Sequence, residues 1–349
     1  MNRNRRVAEA VTMTAEMRVT IVTREEMKAK AGRTGGCSTC GLPHDEYVKI
    51  ENCVGFAADG KARYIGLECF LPISYGSGEN GDTWYDRRSG IERPISQNMD
   101  GVDNTTKHRL PHVSVEFEIV SKKYGTGVMA VRSAFGFDRP ELTWEEKLEQ
   151  GIIDYAFCSV YVRLLFLGYQ KEKKTANIEA DCTVTAEGHC RFRSLQGLSR
   201  FLNFCTEEEL ECFRDIRCGA HIHASCYYAR RSWCGQAVFK PVLIGIENLT
   251  AEERERRFGS DFRGYASDNV GGHGCAINYR TEHNTIEFRL SRIHDNEQFI
   301  VCCKWWRGVI AIVNEKGALV DEGRLTTTAL GKKCARQLNL WDSKYAKGN

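Results

Sequence analysis

Three stretches of this 349-residue chain alternate charged and apolar side chains with the two-residue period of an extended strand, and they constrain the fold more than anything else in it. In Val113-Ser114-Val115-Glu116-Phe117-Glu118-Ile119 both carboxylates fall on one face. In Gly219-Ala220-His221-Ile222-His223-Ala224-Ser225 both imidazoles share a face, with Ala220, Ile222 and Ala224 on the other. In His283-Asn284-Thr285-Ile286-Glu287-Phe288-Arg289-Leu290, Thr285, Glu287 and Arg289 lie together while Ile286, Phe288 and Leu290 point away. A lone His-x-His is more often a half-buried strand with satisfied histidines, and a charged strand face is usually solvated. Three such strands in one chain predict instead a curved sheet with a polar, ion-filled concavity.

In this order, Glu-Phe-Glu, Gly-x-His-Ile-His and Thr-Ile-Glu-Phe-Arg resemble the amidoligase family, carboxylate–amine ligases of glutamine-synthetase-like fold. The resemblance runs from roughly Pro111 to Asn314 and leaves the first hundred residues aside. It implies an α+β domain: a curved, mostly antiparallel sheet, helices packed on its convex side, and ATP with two or more Mg²⁺ ions on its concave face. By the same resemblance Glu116, Glu118, His221, Glu287 and Glu187 bind metal, and His223 contacts a phosphate. Arg289 and Arg280, beside Glu287, stabilise the transferred charge. Asp181, with Thr183 where the family has serine, joins the nucleotide site. Glu187-Gly188 reverses the family's Gly-x-Glu order.

The implied reaction is ATP-dependent formation of an amide or peptide bond through an acyl phosphate, because a carboxylate is a poor electrophile until phosphorylated. Such chemistry needs metals on the triphosphate, cations on the moving phosphoryl group and shielding from water. Its partners are a carboxylate and an amine, the carboxylate being a free amino acid, a peptide or protein terminus, or a modified base.

Ahead of this region, Cys37-Ser38-Thr39-Cys40-Gly41 has the shape of a zinc knuckle, whose two thiolates face one ion. A structural zinc needs two more ligands, and Cys53 and Cys69 are the available cysteines, with His44 as a substitute. Val54 to Ile65 reads as a hairpin turning at Asp59-Gly60. Gly66-Leu67-Glu68-Cys69 lacks the second cysteine that a zinc ribbon would carry. The first 36 residues hold eight Lys or Arg against four acids, a basic arm through which nucleic acid is a candidate partner. Ile73–Lys107 is rich in Gly, Ser, Asn and Asp and reads as a linker or long surface loop. The expected organisation is a basic flexible arm over 1–35, a Cys-rich module over 36–73, a linker over 74–107 and a catalytic domain over 108–349.

A formal net charge of +3 excludes a protein that is basic all over. Sixteen cysteines, mostly single within apolar strings, read as buried thiols in a reducing compartment. The charged N-terminus lacks a signal-peptide core, and Phe299–Val313 contains Lys304 and Arg307 and is too short to span a membrane, so it reads as a core helix. The expectation is a cytoplasmic protein with no membrane partner.

Residues 7–30 hold one short amphipathic helix, and Thr143-x-x-Glu146 and Thr206-x-x-Glu209 fit capping boxes. Ser194–Phe204, Thr206–Ile216, Asn248–Phe258 and Leu325–Leu340 read as helices, and Ile152–Tyr169 as either a strand or a buried helix. Asp268–Gly274 reads as a Gly-rich flexible loop. Two other functions suit the same residues: a zinc-knuckle adaptor for nucleic acid or protein with an inert ligase-like domain, and a zinc hydrolase using His221, His223 and an acid.

Overall fold

The computed structural model describes residues 17–31, 36–38, 40–53, 62–74, 83–86, 91–94, 110–167, 178–192, 194–260, 267–272, 274–279 and 284–346. The chain forms two compact units, one of Met1–Ser74 with Ser121–Ala186 and one of Tyr75–Val120 with Glu187–Asn349. Residues 121–186, expected within a catalytic domain over 108–349, therefore group with the N-terminal segment.

Strand β1 (Arg18–Thr23) runs into helix α1 (Arg24–Ala31), followed by β2 (Glu46–Glu51), β3 (Arg63–Gly66), α2 (Leu67–Phe70) and β4 (Ile73–Ser74). β1, β2 and β3 form an antiparallel sheet. The expected basic arm is thus a strand and a helix over residues 18–31. Val19 and Val22, on opposite faces of β1, are both buried, and a reciprocal Thr23–Glu26 pair starts α1. β3 overlaps the second arm of the hairpin expected over 54–65, but its antiparallel partner is β2, which ends before that range; residues 54–61, with the expected first arm and turn, lie outside the described residues. β5 (Thr83–Asp86) and β6 (Ile91–Pro94) pair antiparallel inside the expected linker, which is therefore not loop throughout.

After β7 (Val113–Ile119) come α3 (Gly127–Ala134), α4 (Trp144–Glu149) and α5 (Tyr155–Leu167). The Thr143–Glu146 capping box opens α4 as expected. The ambiguous run over 152–169 is the helix α5. Asp154 accepts from the Phe157 N–H at 3.2 Å, and a 13-residue apolar run favours a helix over a strand. In the first unit Tyr161 on α5 donates to the Phe70 carbonyl, and Phe70 meets Phe135 edge-on at 5.0 Å.

Next are β8 (Ile178–Ala180), β9 (Ala186–Phe192), α6 (Leu195–Phe204) and α7 (Glu207–Leu210). The Thr206 capping box forms, but the helix gives way to a 3₁₀ turn over Glu211–Phe213 instead of running to Ile216. β10 (Ala220–Ser225), α8 (Gln236–Glu247), α9 (Ala251–Phe258), β11 (Ser267–Gly271), β12 (Cys275–Asn278), β13 (Thr285–Phe288), α10 (Asn296–Asp321) and α11 (Thr327–Asn339) complete the chain. The expected Gly-rich loop over 268–274 begins as a strand, β11, parallel to β12. The charged helix α9 is more than a solvated face. Arg257 is buried, donating to the Leu338 carbonyl at 3.0 Å and pairing with Glu253 at 2.7 Å.

In the second unit the strands lie in the order β11-β12-β13-β10-β7-β9. Apart from the parallel β11–β12 pair, the registers from β12 through β13 and β10 to β7 are antiparallel. The architecture is mixed α and β around a large mixed sheet. Ile277, Phe288, Ile222 and Val115 lie in register across four strands and are all buried. Helix α10 covers this apolar face: Trp306 donates to the Ile286 carbonyl at 3.1 Å, and Phe288 packs against Trp305 and Trp306 at 5.3 Å each. Phe117 meets Phe192, Phe201, Phe213 and Phe299. Each fully buried large side chain of this kind contributes about 1.5–3 kcal/mol relative to exposure.

Among the described residues no helix is long and apolar enough to cross a membrane. None of the sixteen cysteines is in a disulfide, and Cys182 alone is exposed.

Candidate functional site

The registers that build the apolar core also build the opposite face. His221 stands directly across from Glu116, and His223 lies between Ser114 on one side and Glu287 on the other. Asn278 continues that row on β12, opposite Glu287. A one-residue slip of any strand would exchange this row with the core, so the packing of Phe117, Ile222 and Phe288 fixes which side chains face each other.

Glu116 is the common member. Its Oε1 lies 3.0 Å from His221 Nδ1, and its Oε2 lies 3.4 Å from His223 Nε2 and 3.8 Å from His189 Nδ1. Glu287 Oε1 lies 3.5 Å from His221 Nδ1 and 3.8 Å from His223 Nε2. It also accepts from Arg289 Nη1 at 2.6 Å, while Asn278 Nδ2 donates to its other oxygen at 2.9 Å. Thr285 Oγ1 sits 3.2 Å from His223 Nδ1 and orients that ring. His189 Nε2 is 3.1 Å from Glu187 Oε1.

Glu118 is held from the neighbouring strand, its Oε2 accepting the Gly219 N–H at 2.5 Å. Any side chain at 219 would be crowded out, since a Cβ there would lie 2.7 Å from His221 Nε2. The glycine that opens the His-x-His stretch is thus a requirement of the close approach between β7 and β10.

Three ligand groups emerge, each with atoms within 4.8 Å of one another: Glu116, Glu118 and His221; Glu116, His223 and Glu287; Glu116, Glu187 and His189. Each has two carboxylates and one imidazole, and Glu116 belongs to all three. Two unit charges 4.8 Å apart repel by roughly 3 kcal/mol at an effective dielectric of 20. Glu116 has three such carboxylate neighbours on a buried face. Arg289 supplies one fixed positive charge.

The titration behaviour registers this imbalance. Burial, followed by the Glu116 charge, pushes Glu187 well above the usual carboxylate range. Burial also acts to raise Glu116, but the His221 and His189 imidazoles outweigh it and hold Glu116 well below that range. Glu287 is likewise lowered: burial opposes its charge, and His223 and Arg289 overcome that. His221 is raised because Glu116 and Glu118 outweigh burial and Arg289. This donor set fits divalent cations, which would satisfy all four carboxylates together, and the oxygen-rich composition suits hard ions.

Glu116, Glu118, His221, His223, Glu287, Arg289 and Glu187 are thus brought together as the sequence suggests. Asp181 is not among them. It belongs to the first unit, and its Oδ1 closes its own turn, accepting from Thr183 N at 2.6 Å, Thr183 Oγ1 at 2.7 Å and Val184 N at 3.0 Å. Arg280 lies outside the described residues. His189 and Asn278 are additions. His189 shares a strand face with Glu187 two residues earlier, while Ala186, Gly188 and Cys190 take the buried face.

In the first unit Cys37, Cys40 and Cys69 converge as expected, but the fourth member is His44. Cys53 is buried outside that group. Compared with known proteins, the chain matches no family model and no curated sequence.

Proposed function

We propose that the protein is an ATP- and Mg²⁺-dependent carboxylate–amine ligase that forms an amide or peptide bond. The observation that carries this reading is the sharing of Glu116 by three groups of two carboxylates and one imidazole on one buried sheet face. Adjacent, oxygen-rich positions are what a cluster of hard cations around a polyphosphate requires. The choice of ATP and of amide formation rests on the resemblance of the three strand motifs to the amidoligases, and with it goes a glutamine-synthetase-like curvature of the sheet.

Bound Mg-ATP would supply the phosphoryl group that makes a carboxylate electrophilic. Glu116, Glu118, Glu187, Glu287, His221 and His189 would hold the cations, and His223, fixed by Thr285, would meet a phosphate. Arg289 commits one Nη1 to Glu287, and a guanidinium has five N–H donors, so the same side chain positions Glu287 and addresses an anion. Asn278 fixes the second oxygen of Glu287, which leaves its carboxylate pre-oriented.

A zinc hydrolase built on both His221 and His223 is less favoured, because no ligand group among the described residues contains both imidazoles. The test is ADP formation from ATP and Mg²⁺ against a panel of carboxylates and amines. Turnover that requires both an amine and a carboxylate is expected. Absence of any thermal stabilisation by millimolar Mg-ATP, in folded protein, overturns the reading.

A further inference from the structure

We propose that Cys37, Cys40, His44 and Cys69 bind one structural zinc ion in the first unit, with His44 in the place that sequence spacing gives to Cys53. The four ligand atoms lie within 4.8 Å of one another, and three of the four residues are buried. Tetrahedral zinc, with bonds of about 2.0–2.3 Å, holds its ligands roughly 3.5–3.8 Å apart. His44 Nε2 lies 3.1 Å from Cys40 Sγ and 3.5 Å from Cys69 Sγ, so small shifts bring the set onto one ion.

The surroundings are those of a ligand cage. The knuckle is closed by the Gly41 N–H on the Cys37 carbonyl and the Cys37 N–H on the Leu42 carbonyl, each at 2.9 Å. Backbone N–H groups also point at the sulfurs, Gly66 to Cys37 at 3.1 Å and Leu42 to Cys40 at 3.4 Å. Such bonds stabilise thiolate, the form that binds metal. Glu68 Oε2 lies 3.8 Å from His44 Nδ1, on the side of the ring away from the sulfurs, which favours presenting Nε2 to the ion.

Gly66 is required by this arrangement, since a Cβ there would fall 2.3 Å from the His44 ring. A redox Cys-x-x-Cys pair would need neither His44 nor Cys69 at this distance. Four protein ligands fill the tetrahedron and leave no position for substrate, so the ion is structural. Three thiolates make the site soft, in contrast to the carboxylate cluster of the second unit.

The experiment is zinc analysis and zinc-edge X-ray absorption on the full chain after exchange into Mg²⁺ buffer, which clears zinc from carboxylate sites. One zinc per chain is expected, with three sulfurs near about 2.3 Å and one nitrogen near about 2.0 Å. Cys53→Ser and Glu116→Gln should keep the zinc, and Cys69→Ser should lose it. Four sulfurs would return Cys53 to the site. A shell of only oxygen and nitrogen, or no retained zinc, would overturn the proposal, and these readouts need no variant to fold. Zinc retained in full by Cys69→Ser overturns it as well. The outcome is independent of the ligase reading, which concerns the other unit.

Discussion

Glu116→Gln is the most informative single substitution, because this carboxylate belongs to all three ligand groups on the polar face. A cation at 100 times its Kd stabilises the fold by about 2.7 kcal/mol. In a unit of roughly 200 residues each kcal/mol moves Tm by about 2–4 °C, so the native protein should gain about 5–11 °C. Loss of an outer-shell partner commonly costs 10–100-fold in metal affinity, and a direct ligand should cost at least the upper figure. At the same cation concentration the variant then sits near its own Kd, and its stabilisation falls to about 0.4 kcal/mol, or about 1–2 °C. The assay is thermal unfolding with MgCl₂ or MnCl₂ titrated into zinc-replete protein. Comparing each protein with and without cation cancels whatever the substitution does to the metal-free fold. A variant that keeps the full cation-dependent rise would refute the placement of Glu116 at the centre of the site.

Glu287→Gln should lower turnover about 10²–10³-fold and also cost about 1–3 kcal/mol in urea unfolding, because both oxygens accept from donors and the amide turns one contact into donor against donor. Phe288→Ala, on the opposite face, should instead cost about 3–5 kcal/mol through the cavity it leaves; equal stability losses for the two would contradict the register. Glu187 predicts a pH dependence. A carboxyl whose folded pKa is raised contributes stability below the unfolded value of about 4.3 and loses it as pH climbs through the folded value. Without added divalent cation, Glu187→Gln should therefore hold its stability better than the native chain as pH rises above about 4.3, measured by urea midpoints along the rise, and an equally steep decline would count against a raised Glu187.

The polar face was legible because period-two alternation is a local signal. Glu116 with Glu118, His221 with His223, and Glu287 each announce a face without reference to any other strand. The order of the strands is not local: that His223 lies between Ser114 and Glu287 is set by pairings more than sixty residues apart in sequence. His189 falls two residues after Glu187 on the same face of β9, so the same alternation marks it, but the family resemblance assigns a role only to the carboxylate. Asp181 carries an ambiguous local signal. An Asp followed by Thr two residues on is as much the signature of a self-capped turn as of a ligand, and Val184 N–H completes the turn. Spacing left the fourth member of the knuckle open between Cys53 and His44, and only the fold of the loop that brings His44 to Cys40 and Cys69 decides between them. The strand at 18–23 was hidden under the net charge of its surroundings, and its two buried residues, Val19 and Val22, are three apart and so give no one-sided alternation.

The two faces of the central sheet are coupled through one register. A face with three buried carboxylates, a fourth half-buried and one Arg is unfavourable in isolation, and the aromatic packing of Phe117, Phe288, Trp305 and Trp306 on the reverse holds it in place. Substitutions on the polar face should accordingly change cation response more than foldedness, and those on the apolar face the reverse. That separation follows from alternation along β7, β10 and β13, where each core residue is flanked by a residue of the site. Function and stability are therefore written into the same strands, one residue apart.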